Sequence, residues 1–331
     1  MTIARRDLVD QQTPGFYHCT NRCVSRTFLC GVDELTGQNF SHRKDWLEKR
    51  LFELSEIFSV EIFAYAVMDN HYHIVIYSEP LAPLSWTDEQ IAERWLKAYP
   101  GNLNNPQLAK KRALKKQAII GDRKKLAKYR QRLGSLSWFM GRLNEPIAKQ
   151  SNTEDNCTGR FWEGRYSSQV LLDEAAVFSC MVYVDLNPVR ARITDKLESS
   201  NNTGIKNRLE KLKEIEPSQA RALLSANVNA LSQTTKGKQL SMSLKAYVEL
   251  VEWTGKNIVY PNKAKLPSHI AFSLQQLNLQ QEHWLRQIEN FNEHYCHVVG
   301  SVELIREKAK QLKKRCLKGV SAAKLLYECP H

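Results

Sequence analysis

VEIFAYAVMDNHYHIVIYS, residues 60–78, is the stretch from which the fold can be read. Val60 to Met68 and His71 to Ser78 are two runs rich in β-branched and aromatic residues. Asp69-Asn70 between them is a turn-forming pair at the spacing of a tight hairpin. Successive side chains on a strand alternate faces, so His71 and His73 project together while Tyr72 points away. Two imidazoles rooted about 7 Å apart can tilt to share one metal ion. The same spacing suits one packed and one solvated histidine, and taken alone the pair favours that plainer reading. A metal site needs a partner from elsewhere in the chain.

Outward from the hairpin, Phe16 to Val24 follows Pro14-Gly15 and predicts a first strand that ends before a polar turn at Ser25 and Arg26. Ser41 is a candidate N-cap, and Leu47, Leu51, Leu54 and Phe58 lay an apolar stripe along residues 42–58. Downstream, Leu136 to Gln150 reads as a helix and Arg160 to Leu172 as a strand. Asp173-Glu174 then opens a helix that Pro188 ends. The expected fold is α+β, a βαββαβα, ferredoxin-like core with an antiparallel sheet and helices on one face. Residues 1–82 and 136–195 form its two halves. Residues 83–135 interrupt it as a basic helical insertion, starting with a capping box at Thr87 and Gln90. Residues 196–204 contain the polar run SSNNTG and read as a linker. Residues 205–331 read as a helical C-terminal domain, with Leu244 to Trp253 closed by Gly255.

An apolar fraction of 42% in 331 residues is enough for a buried core. The formal charge of +13 raises polyanions above acidic small molecules as partners. Eight cysteines contain no C-x-x-C pair, and the N-terminus lacks the apolar core of a signal peptide, so a reducing, cytoplasmic setting is expected. No apolar run approaches the roughly 18 to 20 residues of a membrane span. Cys19, Cys23 and Cys30 match no common zinc spacing and read as packed thiols.

A partner for the histidines is Tyr183 in CMVYVDLNP, where Tyr183 and Asn187 at i and i+4 share a helix face. The plain alternative is a core aromatic followed by a helix stop. Four stretches then stand in order: YHCTNR (Tyr17 to Arg22), VMDNHYHIVI (Val67 to Ile76), GRFWEGRYSS (Gly159 to Ser168) and YVDLNPVRARI (Tyr183 to Ile193). Together they resemble the single-tyrosine HUH transposases, most closely the REP-associated tyrosine transposases, over roughly residues 15 to 195 apart from the insertion. The resemblance implies that Tyr183 is the nucleophile, His71 and His73 are metal ligands, and Asn187 is the third ligand. It also implies metal-dependent cleavage and strand transfer on single-stranded or hairpin DNA. The insertion and the C-terminal half depart from the compact family core.

The chemistry suits these residue types. Cutting a phosphodiester while conserving its energy needs a covalent nucleophile that can later leave, and a phenol does both. With a pKa near 10, only about one phenol in a thousand is ionised at pH 7, so a cation helps. Imidazole and amide-oxygen ligands suit Mn²⁺ or Mg²⁺, and the nitrogens alone also accept Zn²⁺. Asp185 falls on another helix face, which leaves the general base unnamed.

From Lys110 to Arg132 eleven cations face one acid, Asp122. Lys110, Lys111, Arg112, Arg123, Lys124 and Lys125 are expected to track phosphates, the alternative being a solvated face. Arg160 and Arg165, interleaved with Phe161, Trp162 and Tyr166, can hold phosphates while an aromatic stacks a base, although core packing suits the aromatics equally. A second basic helix, Val302 to Lys318, either binds DNA or docks on the protein, and His294, Cys296 and His297 fit a helical face as well as a metal site. Rival readings are a replication or conjugation initiator, which no Walker sequence accompanies, and a non-cutting nucleic-acid-binding regulator. A monomer and a homodimer are both compatible with the sequence.

Overall fold

The computed structural model describes residues 3–24, 30–32, 37–101, 107–231, 237–261 and 266–327. The expected turn at Ser25 and Arg26, and Cys329, lie outside them. In chain order the first half comprises α1 (Arg5–Leu8), β1 (Gly15–Arg22), α2 (His42–Ser55), β2 (Val60–Val67) and β3 (His71–Ser78). Next come α3 (Asp88–Ala98), α4 (Leu108–Ile120), α5 (Arg123–Leu133), α6 (Leu136–Glu154), β4 (Ser167–Leu171), α7 (Glu174–Asp185) and α8 (Asn187–Arg190). The remainder holds α9 (Gly204–Glu214), α10 (Pro217–Ser225), β5 (Asn227–Asn229), β6 (Gln239–Ser243), α11 (Leu244–Val259) and α12 (Ser268–Gln276). It closes with α13 (Gln281–Glu289), α14 (Phe291–His294), β7 (Val298–Val299), α15 (Val302–Gln311) and α16 (Val320–Leu326).

The Met68 N–H donates to the His71 carbonyl at 2.8 Å, closing the hairpin around Asp69-Asn70. β2 and β3 then pair antiparallel from Val67–Tyr72 back to Val60–Ser78, with one register shift between Ile62 and Ala64. The five-stranded sheet has the order β2-β3-β1-β4-β7. It is mixed rather than wholly antiparallel, because β7 pairs parallel with β4. Without Val298–Val299 the outer edge of β4 would present unpaired backbone groups, an edge this chain covers with its own C-terminal segment.

Helices lie on both faces of the sheet, not one. Tyr65 and Tyr72 point to the face covered by α2 and α6, where they bond Glu48 and Asn144 at 2.7 Å each. His18 and His73 point to the other face, against Tyr183 of α7. The reason is visible in the strands: β2 and β3 are buried at nearly every position, so neither face can be left to water. Helix α7 is apolar all round, and every residue from Ala175 to Asp185 is buried. Its outer side packs on α11 and α13. Each of Phe178, Met181 and Val182 gains about 1.5–3 kcal/mol from that burial.

The segment read as a linker is docked. The Val67 N–H donates to the Asn202 carbonyl at 3.0 Å, and the Asn202 amide bonds Asp45 and Glu48 of α2. Residues 205–327 therefore touch both sheet edges: Leu231 N–H bonds the Ile62 carbonyl on the β2 side, and β7 closes the β4 side. The strand expected from Arg160 is shorter, beginning at Ser167. Trp162 makes an isolated bridge to Cys23, and Gly164 interrupts the extension.

The capping box at Thr87 and Gln90 forms at the start of α3. Helices α3 to α5 dock where β2 begins and β3 ends, through Ser59 N–H to the Leu133 carbonyl (3.1 Å) and Arg94 to the Ile57 carbonyl (3.0 Å). Gly134 is required there, since a Cβ would come within 2.2 Å of the Pro80 carbonyl oxygen.

Candidate active site

The site forms where three strands and α7 converge. Arg22 of β1 and His71 of β3 are register partners, as are Thr20 and His73, and His18 of β1 pairs with Gln169 of β4. Strand alternation therefore sends His18, Thr20, His71, His73 and Gln169 to one face. They line a cavity of about 530 Å³ with Arg22, Arg165, Glu163 and Asn292. Two guanidinium groups against one carboxylate give this cavity a positive bias suited to phosphate.

His73 is almost fully buried, its ring 5.0 Å from that of His71 and stacked at 5.1 Å on His18. Burial pushes His18 and His71 down to about 4 and His73 well below its usual value. All three imidazoles are consequently neutral at pH 7, the form that ligates metal. The Nδ1 atoms of His71 and His73 are engaged by Asn70 and His18, which leaves both Nε2 atoms available.

Tyr183 reaches this cluster from α7, its ring 5.6 Å from His73 and 6.1 Å from His18. Pro188 has no N–H to continue the helix, so Asn187 starts the short α8 instead of extending α7. The Asn187 amide still lies beside the phenol. Its Nδ2 is buried without a hydrogen-bond partner. Burial raises the phenol pKa, opposed by the Arg190 guanidinium, which sits 4.5 Å over the ring.

Sequence reading missed the side chains that finish this site. Phe291 stacks on Tyr183 at 4.8 Å and 22°, and Asn292 Nδ2 donates to the phenol oxygen. Asn292 lines the cavity and Tyr183, 3% exposed, does not. Asp185 faces away, accepting from Ile205 N–H and the Tyr247 hydroxyl, with burial raising its pKa to about 7. It ties α7 to the C-terminal segment and is not placed to take the phenol proton.

The remaining expected contacts divide. Arg165 is at the cavity, whereas Arg160 is exposed and outside its lining. Phe161, Trp162 and Tyr166 are buried, with Trp162 bonded to the Asn144 carbonyl and Arg5 stacked on Tyr166 at 3.9 Å, so none is a base-stacking platform. Lys110, Lys111, Arg123, Lys124 and Lys125 are exposed, while Arg112 bonds the Leu96 carbonyl. These six are not beside the histidines. The insertion docks at the opposite end of β3, about 24 Å away by strand rise. Among the described residues no three His, Cys, Asp or Glu side chains group as a metal cluster, and His294 bonds Gln287.

No family model matches the chain. No curated protein matches it either. A solved structure of a REP-associated tyrosine transposase bound to a REP hairpin aligns with 73% of this chain and 100% of its own, at 9% identity and a TM-score of 0.34. At those values the likeness establishes neither the fold nor the chemistry.

Proposed function

We propose that the protein cleaves and rejoins single-stranded DNA, on hairpin-forming elements, through a phosphotyrosine at Tyr183. The observation that carries this reading is the meeting of Tyr183 with His71 and His73. They are more than a hundred residues apart in the chain, yet the phenol ring lies 5.6 Å from His73 beside a cavity edged by Arg22 and Arg165. The four motif stretches that resemble single-tyrosine HUH transposases point the same way.

In this reading Arg22 and Arg165 hold the scissile strand by its phosphates. The Tyr183 oxygen attacks phosphorus, forming the ester bond as the strand's own oxygen leaves, and the reverse step rejoins a strand end. Arg190 and the Asn292 amide favour the phenolate. The residues fit a divalent cation such as Mn²⁺ or Mg²⁺: two neighbouring imidazoles whose Nδ1 atoms are engaged elsewhere, which leaves Nε2 of each to ligate. His71, His73 and Asn187 would hold it, and it would polarise the phosphate.

One observation favours the rival reading of a non-cutting DNA-binding regulator: Asn292 stands at the cavity while the phenol it bonds does not line it. A denaturant-stable adduct on labelled hairpin DNA, tested with Mn²⁺ and with chelator, separates the two. Cleavage predicts an adduct that Tyr183→Phe abolishes with DNA affinity retained, and that the His71→Ala, His73→Ala double variant also loses. Tight binding with no adduct in the wild type supports the regulator.

A further inference from the structure

A chain of hydrogen bonds crosses the sheet behind His73. Gln169 Oε1 lies 2.6 Å from His18 Nδ1, and His18 Nε2 lies 2.9 Å from His73 Nδ1. The three residues come from β4, β1 and β3, and each is at least nine-tenths buried. An amide oxygen only accepts, so His18 Nδ1 must carry the proton. In a neutral imidazole that makes Nε2 the acceptor, and the proton between the rings then belongs to His73 Nδ1. His73 Nε2 is left as a lone pair.

We propose that Gln169 and His18 form a positioning relay that locks His73 in the Nδ1–H tautomer and aims its bare Nε2 at the cation site. The proposal rests on the reading of His73 as a metal ligand. Both rings are buried, and the partners in this chain are Gln169 and the two rings themselves, with no carboxylate among them. The direction of the relay is set at Gln169. With the amide reversed, its nitrogen would donate to His18, His18 Nε2 would donate to His73, and the proton on His73 would move to Nε2 and block ligation. His71 has its own Nδ1 partner in Asn70, so the two ligands are oriented independently. Groups that orient a ligating imidazole in this way are typically worth about 10- to 100-fold in metal affinity.

The test combines Mn²⁺ affinity by electron paramagnetic resonance with the His73 tautomer read from ¹⁵N shifts of the metal-free protein at pH 7.5. Gln169→Leu and His18→Phe each break the relay, the first at its acceptor end and the second at its middle ring. The expected result is Nδ1–H for His73 in the wild type, a mixture of tautomers in Gln169→Leu, and Mn²⁺ binding weaker by about 10- to 100-fold in the two broken variants. Wild-type His73 with its proton on Nε2 overturns the proposal, as does a Gln169→Leu protein that folds and keeps a single Nδ1–H tautomer. Should the wild type bind no Mn²⁺ while His73 is held as Nδ1–H by Gln169, the relay stands and the cation reading falls.

Discussion

Replacing Asn292 by Leu probes the proposed nucleophile without touching Tyr183. The substitution removes the amide that donates to the phenol oxygen, and Phe291 remains stacked on the ring at 4.8 Å. A hydrogen bond to a neutral partner is worth about 0.5–1.5 kcal/mol net, and one to a charged group about 1.5–3. The difference, about 1–1.5 kcal/mol, is what Asn292 contributes to the phenolate over the phenol. At 1.36 kcal/mol per pKa unit, Tyr183 in Asn292→Leu should ionise about one pH unit higher than in the wild type. Burial already raises this pKa, and Arg190 remains to oppose it. Adduct formation in single-turnover experiments should therefore slow about 5- to 15-fold at neutral pH, with the profile displaced to higher pH and DNA affinity little changed. The phenolate absorbance difference between each protein and its Tyr183→Phe counterpart reports the same displacement without DNA. An unchanged profile would refute the reasoning. A faster reaction would do so more sharply, because Asn292 would then seal the phenol from the cavity rather than support its ionised form.

Acid should destabilise the protein through its buried histidines. His18 and His71 have folded values near 4 against about 6.5 unfolded, so between those pH values the unfolded chain binds protons that the folded one excludes. Their contribution is complete above pH 6.5 and is lost toward pH 4, and thermal melts of His18→Phe should show a shallower decline over that window. Asp185 acts in the opposite sense: its folded value near 7 lies above the ordinary carboxylate range, so its burial becomes costlier as pH rises from 4 to 7. Asp185→Asn, which keeps an oxygen to accept from Ile205 N–H and places an NH2 that can donate to the Tyr247 hydroxyl oxygen, should gain stability relative to wild type at pH 8 compared with pH 4; equal differences at both pH values would contradict this. Neutralising Lys110, Lys111, Arg112, Arg123, Lys124 and Lys125 should flatten the log-log salt dependence of single-strand affinity, by about 0.7 per lost contact. Because the insertion docks far from His71, the rate of adduct formation at saturating DNA should be unchanged, and a large loss of rate would place the insertion in the chemistry.

Local patterns made much of the fold legible. The hairpin at Asp69-Asn70, the alternation that puts His71 and His73 on one face, and the capping box at Thr87 are decided within a few residues of chain. The faces of the sheet were harder to read. Near-continuous burial of β2 and β3 signals two covered faces, but a short apolar run by itself does not say what lies above and below it. Phe161 and Trp162 show the same limit, since an aromatic beside arginines looks alike in a base-stacking groove and in a core, and burial separates them.

The sequence by itself determined the strand alternation, the apolar tyrosine helix that Pro188 stops, and the excess of positive charge, each a property of near neighbours or of composition. Only the tertiary structure decided which strands became neighbours. Placing β1 between β3 and β4 is what sets His18 between His73 and Gln169. Nor does any pattern within residues 205–331 announce that Phe291 and Asn292 close over Tyr183, or that Val298–Val299 completes the sheet. The physical reason is separation along the chain: periodicity reports which way a side chain points, whereas its partner more than a hundred residues away is chosen by the packing of the whole core.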